Sequence, residues 1–246
     1  MEVLYINLDR CVDRKERLEK ELLKHNIKFN RIKGIDGTNK DDILSIFDLT
    51  NNFYKKKHTR QLGCLGSHLK AINYFIKNSK HEYALILEDD TTLKIFDDYD
   101  LDLKFVLNKI VDIVPSNFGI IQLSYIWGSI EPFVKNKNRL YKKWNKYYAA
   151  NAYIISKKGG NELINKLMKN NKIPLDLINN SMKNYVADYI LYKKTKSYTF
   201  KIPLFFQNSD LVSIIGSNSN THRKAVDVMK RVLKEYDSII RQKFQN

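Results

Sequence analysis

Short apolar runs, rich in β-branched residues, alternate along this chain with segments of helical spacing, and few folds accept that pattern. VLYINL (3–8) reads as a buried strand ending at Asp9. A helix is expected over about 12–26, with Arg14, Arg17 and Lys20 outward and Leu18, Leu22 and Leu23 inward. FNRIKGIDG supplies a short second strand closing on the turn Asp36-Gly37. From Thr59, read as an N-cap, Leu62, Leu65, Leu69, Ile72 and Ile76 keep helical spacing to about 79. YALILE (83–88) is a near-continuous apolar strand ending in Glu88-Asp89-Asp90. A helix (101–113), the strands FGIIQL (118–123) and AYIIS (152–156), and a helix at 158–169 follow. Such alternation predicts an α/β fold: a mainly parallel sheet covered by helices on both faces, with ligands at the carboxyl ends of its strands. Three polar clusters fall at those ends: Asn7-Leu8-Asp9-Arg10, Asp36-Gly37 and Glu88-Asp89-Asp90.

Composition removes the competing classes. At 246 residues, 43% apolar and 12% aromatic, the chain has material for a sizeable core, and 9 Gly with 4 Pro exclude collagen and linker sequences. No apolar run approaches the ~20 residues of a membrane span. Cys11 and Cys64 form no CxxC pair and no disulfide framework. The opening MEVLYINLDR lacks the marks of a secretory signal, so a soluble protein of the reducing cytoplasm is expected. No linker divides the chain. We read one domain over residues 1–220 and an amphipathic helix over 221–246, which would close the domain or pair two copies as a homo-oligomer. The stretch 126–147, polar, basic and aromatic, reads as a long loop of the functional or mobile kind.

The net charge of +16 is uneven. Residues 131–172 carry 11 basic and 2 acidic side chains, whereas 88–102 carry 7 acidic and 1 basic. A basic region facing an acidic cluster suits an anionic ligand bound through a metal. The excess is lysine rather than the arginine that nucleic-acid readers concentrate, so no specific nucleic-acid partner is expected. Three carboxylates at the end of an apolar strand repel one another and need solvent or a cation. Strand alternation would turn Glu88 and Asp90 to one side and Asp89 to the other. That arrangement fits a hard divalent ion; the alternative is an acidic loop with a capping carboxylate. The five histidines show no zinc-like pair spacing.

Five segments in order carry a resemblance: YINLDRCVDRKERLEKEL, FNRIKGIDG, GCLGSHLKAI, YALILEDDTTL and AYIISKKGGNELI. Together they resemble glycosyltransferase family 25, which contains lipopolysaccharide and collagen galactosyltransferases, over most of residues 3–215. The resemblance implies a GT-A-type fold, a Rossmann-like mixed sheet flanked by helices in a single domain. It also implies a UDP-sugar donor, Mn²⁺ or another divalent cation, and inverting transfer of a hexose to a hydroxyl on a glycan or protein. On that pattern Asp90 is the metal ligand, Glu88 meets the ribose or a metal-bound water, and Asp89 supports them. Inversion needs a base that takes the acceptor's proton. Asp188, close before the PLFFQ segment, is favoured over Asp176, which could equally cap a helix. Asn7, Arg10, Asp36, Gly37, Ser67, His68 and Lys70 are donor-side candidates. Asp210 is a candidate on the acceptor side and His222 a third metal ligand. Cys11 stands where many members have a second arginine. The competing readings are a basic nucleic-acid-binding protein or metal nuclease, and an inactive transferase fold kept as a binding module.

Overall fold

The computed structural model describes residues 1–48, 59–174, 186–208 and 219–245. In chain order the elements are β1 (Glu2–Asn7), α1 (Val12–Lys24), β2 (Asn30–Lys33), α2 (Lys40–Ile46), β3 (Phe47–Asp48), α3 (Thr59–Asn78), β4 (Tyr83–Glu88) and β5 (Thr91–Thr92). Then come α4 (Lys94–Asp98), α5 (Leu103–Ile113), β6 (Ile120–Gln122), α6 (Glu131–Val134), β7 (Tyr141–Lys143) and β8 (Ala152–Ser156). The last are α7 (Lys157–Leu167), β9 (Ile173–Pro174), α8 (Ala187–Lys194), β10 (Ser197–Phe200), β11 (Phe206–Gln207) and α9 (Ser219–Phe244).

A seven-stranded sheet in the order β2-β1-β4-β8-β6-β10-β7 runs through the molecule. β2, β1 and β4 are parallel, β8 is antiparallel to both β4 and β6, β10 is parallel to β6, and β7 closes the edge antiparallel to β10. Five strands thus share one direction, and the sheet is mixed because β8 is reversed at its centre. β1 and β4 are apolar on both faces because both faces are covered. Val3, Tyr5, Leu85 and Leu87 join a core with Leu18 and Leu22 of α1, Val106 and Ile110 of α5, and Val232 and Tyr236 of α9. Leu4, Ile6, Ala84 and Ile86 join the opposite core with Leu65, Leu69 and Ile72 of α3 and with α7 and α8.

Several expectations needed correction. Leu23 is exposed rather than inward, and Arg14 and Arg17 turn toward the carboxyl end of β4 rather than into solvent. Thr59 is the first residue inside α3 rather than its cap. The stretch 126–147 is no free loop: β7 pairs with β10, α6 sits within the stretch, and Phe133, Leu140 and Tyr147 are buried. Its aromatic rings supply the apolar area that its lysines hide from a periodicity reading, with Tyr125 stacked on Phe133 at 3.8 Å. The apolar face of α9 is covered by the chain's own core, and Tyr236 Oη donates to the Phe133 carbonyl at 2.7 Å.

One close approach fixes the rim of the site. A Cβ on Gly63 of α3 would lie 2.6 Å from the Gly37 nitrogen, and one on Gly37 would lie 2.4 Å from the Arg60 Cα. Glycine at both positions lets the Asp36-Gly37 turn rest directly on α3.

Candidate functional site

β1 and β4 are parallel neighbours with Ile6 in register with Glu88, so their carboxyl ends bring Asn7 beside Asp89. The cleft there is walled by the 34–37 turn and α3 on one side and by α1 on the other. Asn7, Arg10, Asp36, Gly37, Ser67, His68, Glu88, Asp89 and Asp90, all singled out from sequence, line it.

The three carboxylates diverge. Asp89 turns to α1, where its Oδ2 accepts from Asn7 Nδ2 at 2.8 Å and its Oδ1 from Arg14 Nη1 at 3.2 Å. Arg17 Nη2 donates to the carbonyls of Asp89 and Thr91, each at 2.8 Å, and so ties α1 to the chain leaving β4. Burial raises the Asp89 carboxyl, and Asn7 and Arg14 oppose that rise. Asp90 is buried, with Oδ2 accepting from Gln207 Nε2 at 2.6 Å and its carbonyl accepting from Asn208 N at 2.7 Å. Its Oδ1 is also buried and has no hydrogen-bond partner among the described residues. Burial first, and the Glu88 charge second, push this carboxyl up to about 7. Glu88 is anchored through its N–H to the Asn151 carbonyl at 2.9 Å, while Oε1 lies 2.8 Å from His68 Nε2 and 3.8 Å from Cys64 Sγ.

An orphaned buried carboxylate oxygen next to a second carboxylate is an arrangement that a cation relieves. The set is all oxygen, which suits hard Mn²⁺ or Mg²⁺, so the residues fit the divalent ion that the resemblance implies. Arg10, Arg14 and Arg60 share the cleft and give it groups for an anionic ligand. Arg10 pairs with Asp36, whose Oδ1 also takes the Thr38 N–H and hydroxyl at 2.9 and 2.7 Å.

Other candidates have different tasks. Ser67 Oγ accepts from Ile35 N and donates to the Gly63 carbonyl, both at 2.7 Å, so it braces the 34–37 turn against α3. His68 is buried, with Nδ1 at 3.1 Å from Tyr153 Oη. Lys70, a donor-side candidate, is not among the residues lining the cleft, and its Nζ donates to the Lys33 carbonyl at 2.9 Å. Asp188 lies outside the cleft lining but near enough to Glu88 for that charge to act on it. Its Oδ2 accepts from Ala149 N and its Oδ1 from Tyr189 N, both at 2.7 Å, and burial raises its carboxyl. Ala149 has φ of 105°, a strained value for a residue with a side chain, and Asp188 and the Tyr192 hydroxyl pin it from both ends. Asp176 and Asp210 lie outside the described residues. His222 falls on the first turns of α9, and its side chain lies outside them too.

Sequence reasoning missed Arg14, Arg17, Cys64 and Gln207. Arg14 and Arg17 are three apart after a strand end, a spacing that puts both on one helix face beside the acidic triplet. Cys64 and His68 are four apart on α3, and with Glu88 their ligand atoms all lie within 4.8 Å of one another. Counting histidine pairs alone hid that group.

Solved structures to which the chain is similar include A197 from STIV (10% identity, 81% of this chain and 82% of that one, TM-score 0.34). The glycosyltransferase GlyE of Streptococcus pneumoniae TIGR4 is 10% identical over 97% of this chain and 63% of its own, with a TM-score of 0.45. The galactosyltransferase LgtC, solved with donor and acceptor sugar analogs, is 8% identical over 65% of this chain and 59% of its own, with a TM-score of 0.31. No curated protein matches in sequence. The profile of glycosyltransferase family 25 (LPS biosynthesis protein) matches residues 1–179, which include every cleft residue named above except Gln207, and the chain belongs to that family.

Proposed function

We propose that the cleft binds a UDP-hexose together with Mn²⁺ or a similar divalent cation, and that the protein transfers the hexose with inversion to a hydroxyl of a glycan or protein acceptor. The observation that carries this reading is Asp90 Oδ1, buried and without a partner among the described residues, beside Glu88 at the carboxyl end of β4. A divalent cation bound there supplies charge neutralisation for the departing diphosphate. Glu88 and Asp90 would hold it, Gln207 fixes the rotamer of Asp90, and Asp89 locks the backbone of both through Arg14 and Asn7. The turn at Asp36-Gly37 and the strand end at Asn7 offer the nucleoside its rim, and the arginines of the cleft face the phosphates.

We assign the acceptor's proton to Asp188. Its raised carboxyl lies in the direction a base working near neutral pH requires, and a carboxylate that accepts two N–H groups keeps lone pairs free. The free thiols at Cys11 and Cys64 support a cytoplasmic setting. No helix among the described residues is long and apolar enough to cross a membrane. A nuclease reading is less favoured because the cleft mixes carboxylates and arginines in a short pocket rather than along a basic groove.

The test is a panel of nucleotide sugars assayed for hydrolysis with Mn²⁺ and then with chelator. One UDP-hexose should be hydrolysed, with loss of the reaction on chelation and in Asp90→Asn. Full activity in chelator would overturn the metal role. Absence of binding or turnover for every nucleotide sugar would overturn the transferase reading in favour of a binding module.

A further inference from the structure

Glu88 shares the cleft with Asp90 and meets the Cys64/His68 pair through Oε1. We propose that Cys64, His68 and Glu88 form a second cation site, selective for Zn²⁺, whose filling withdraws Glu88 from the donor's metal and switches the enzyme off. The regulatory half of this proposal rests on Glu88 serving the donor's cation; the binding half does not.

The geometry is that of a nearly assembled site. Cys64 and His68 are one turn apart on α3, and Glu88 lies opposite at the end of β4. Zinc bonds of about 2.0–2.3 Å in a tetrahedron put ligand atoms roughly 3.3–3.6 Å apart. Here His68 Nε2 is 2.8 Å and Cys64 Sγ 3.8 Å from Glu88 Oε1, on either side of that range. The sulphur–nitrogen edge, at most 4.8 Å, closes by side-chain rotation. Tyr153 Oη meets His68 Nδ1 at 3.1 Å and keeps Nε2 aimed at the site, the outer contact that metal-binding histidines need. All three residues line the cleft, so the fourth position opens to water and gives the ion an entry path.

Ligand chemistry separates the two sites. Sulphur with imidazole favours Zn²⁺ over Mn²⁺, whereas the Glu88–Asp90 oxygens suit the harder ion. A cysteine thiol with an ordinary pKa of about 8.5 carries its proton at neutral pH when no metal is bound. Binding exchanges that proton for the metal: Cys–SH and Zn²⁺ give a Cys–S⁻–Zn²⁺ bond and one released H⁺, with no change of oxidation state.

The full chain is titrated with Co²⁺ as a spectroscopic stand-in for zinc. One equivalent should bring up the near-ultraviolet thiolate-to-cobalt band, and equimolar Zn²⁺ should remove it. Cys64→Ser should abolish the band and Cys11→Ser should leave it. Zn²⁺, but not Mn²⁺, should also slow alkylation of the native Cys64 thiol at least tenfold, a readout independent of whether the serine variant folds. Asp90→Asn should retain the cobalt band, so a failed donor-metal reading leaves this result standing. Transfer in Mn²⁺ should fall at least tenfold on stoichiometric Zn²⁺ and resist it in Cys64→Ser. No band in the native chain, a band that survives Cys64→Ser, or equal protection by Mn²⁺ overturns the zinc site. Bound zinc with unchanged transfer overturns the switch.

Discussion

Replacing Arg14 by methionine tests how the acidic strand end is held. Arg14 and Asp89 pair at 3.2 Å with side chains 12% and 10% exposed, so the pair is largely withdrawn from water. Methionine fills the volume of the stem but, among the described residues, leaves Asp89 with only the Asn7 amide as a side-chain donor. Removing one partner of a buried pair costs about 3–5 kcal/mol, against about 0–1 for an exposed pair. Because Asn7 remains, the low end, ~3 kcal/mol, is expected. For a chain of this length that corresponds to a loss of about 6–12 °C in Tm. Urea unfolding of Arg14→Met, Asp89→Asn and the double variant gives the coupling, which should be roughly 1–3 kcal/mol because both side chains belong to one network. Lys20→Met, exposed on the same helix, should stay within about 0.5 kcal/mol. If Arg14→Met costs less than ~1 kcal/mol, or the double variant is simply additive, the view of α1 as a clamp on residues 89–91 is wrong.

Asp188→Asn should preserve metal-dependent UDP binding while lowering transfer by about 10²–10⁴; normal transfer removes Asp188 as the base. Gly63→Ala sets a methyl against the backbone at Gly37 and Ile35, and the overpacking should cost on the order of 2 kcal/mol and weaken donor binding, measured by thermal unfolding and calorimetry. Burial, with Lys142 and Arg139 adding to it, lowers the Lys201 ammonium to about 8 from 10.5. Between those values the unfolded chain binds more protons than the folded one, so Lys201 contributes stability that grows as pH rises through the window. Urea midpoints of the native chain should therefore gain on those of Lys201→Met from pH 8 to 10.5, and parallel profiles would refute it.

The parts of the fold that were legible were those where burial alone decides. β4 and β8 begin and end where YALILE and AYIIS do, because strands covered on both faces must be apolar throughout. Arg14 and Arg17 were misread for the same reason. A helical period assigns charge to solvent, and only the tertiary position of α1 beside Asp89 turns these residues inward. Residues 126–147 hid an edge strand because their core contacts come from isolated aromatics among lysines, with no period to detect. Within the site, each residue of the triplet has a partner distant in sequence, Asn7 for Asp89, His68 for Glu88 and Gln207 for Asp90. No local pattern announces such pairs. The triplet itself was legible because three adjacent carboxylates after an apolar strand have few physical explanations.

Calorimetric titration of UDP into the chain with and without Mn²⁺, repeated on Asp90→Asn, examines the cleft most directly. Binding that requires Mn²⁺ and falls at least a hundredfold in the variant, whose fold is intact by circular dichroism, is the expected result. UDP binding of equal strength with and without metal, or unaltered in Asp90→Asn, would contradict it.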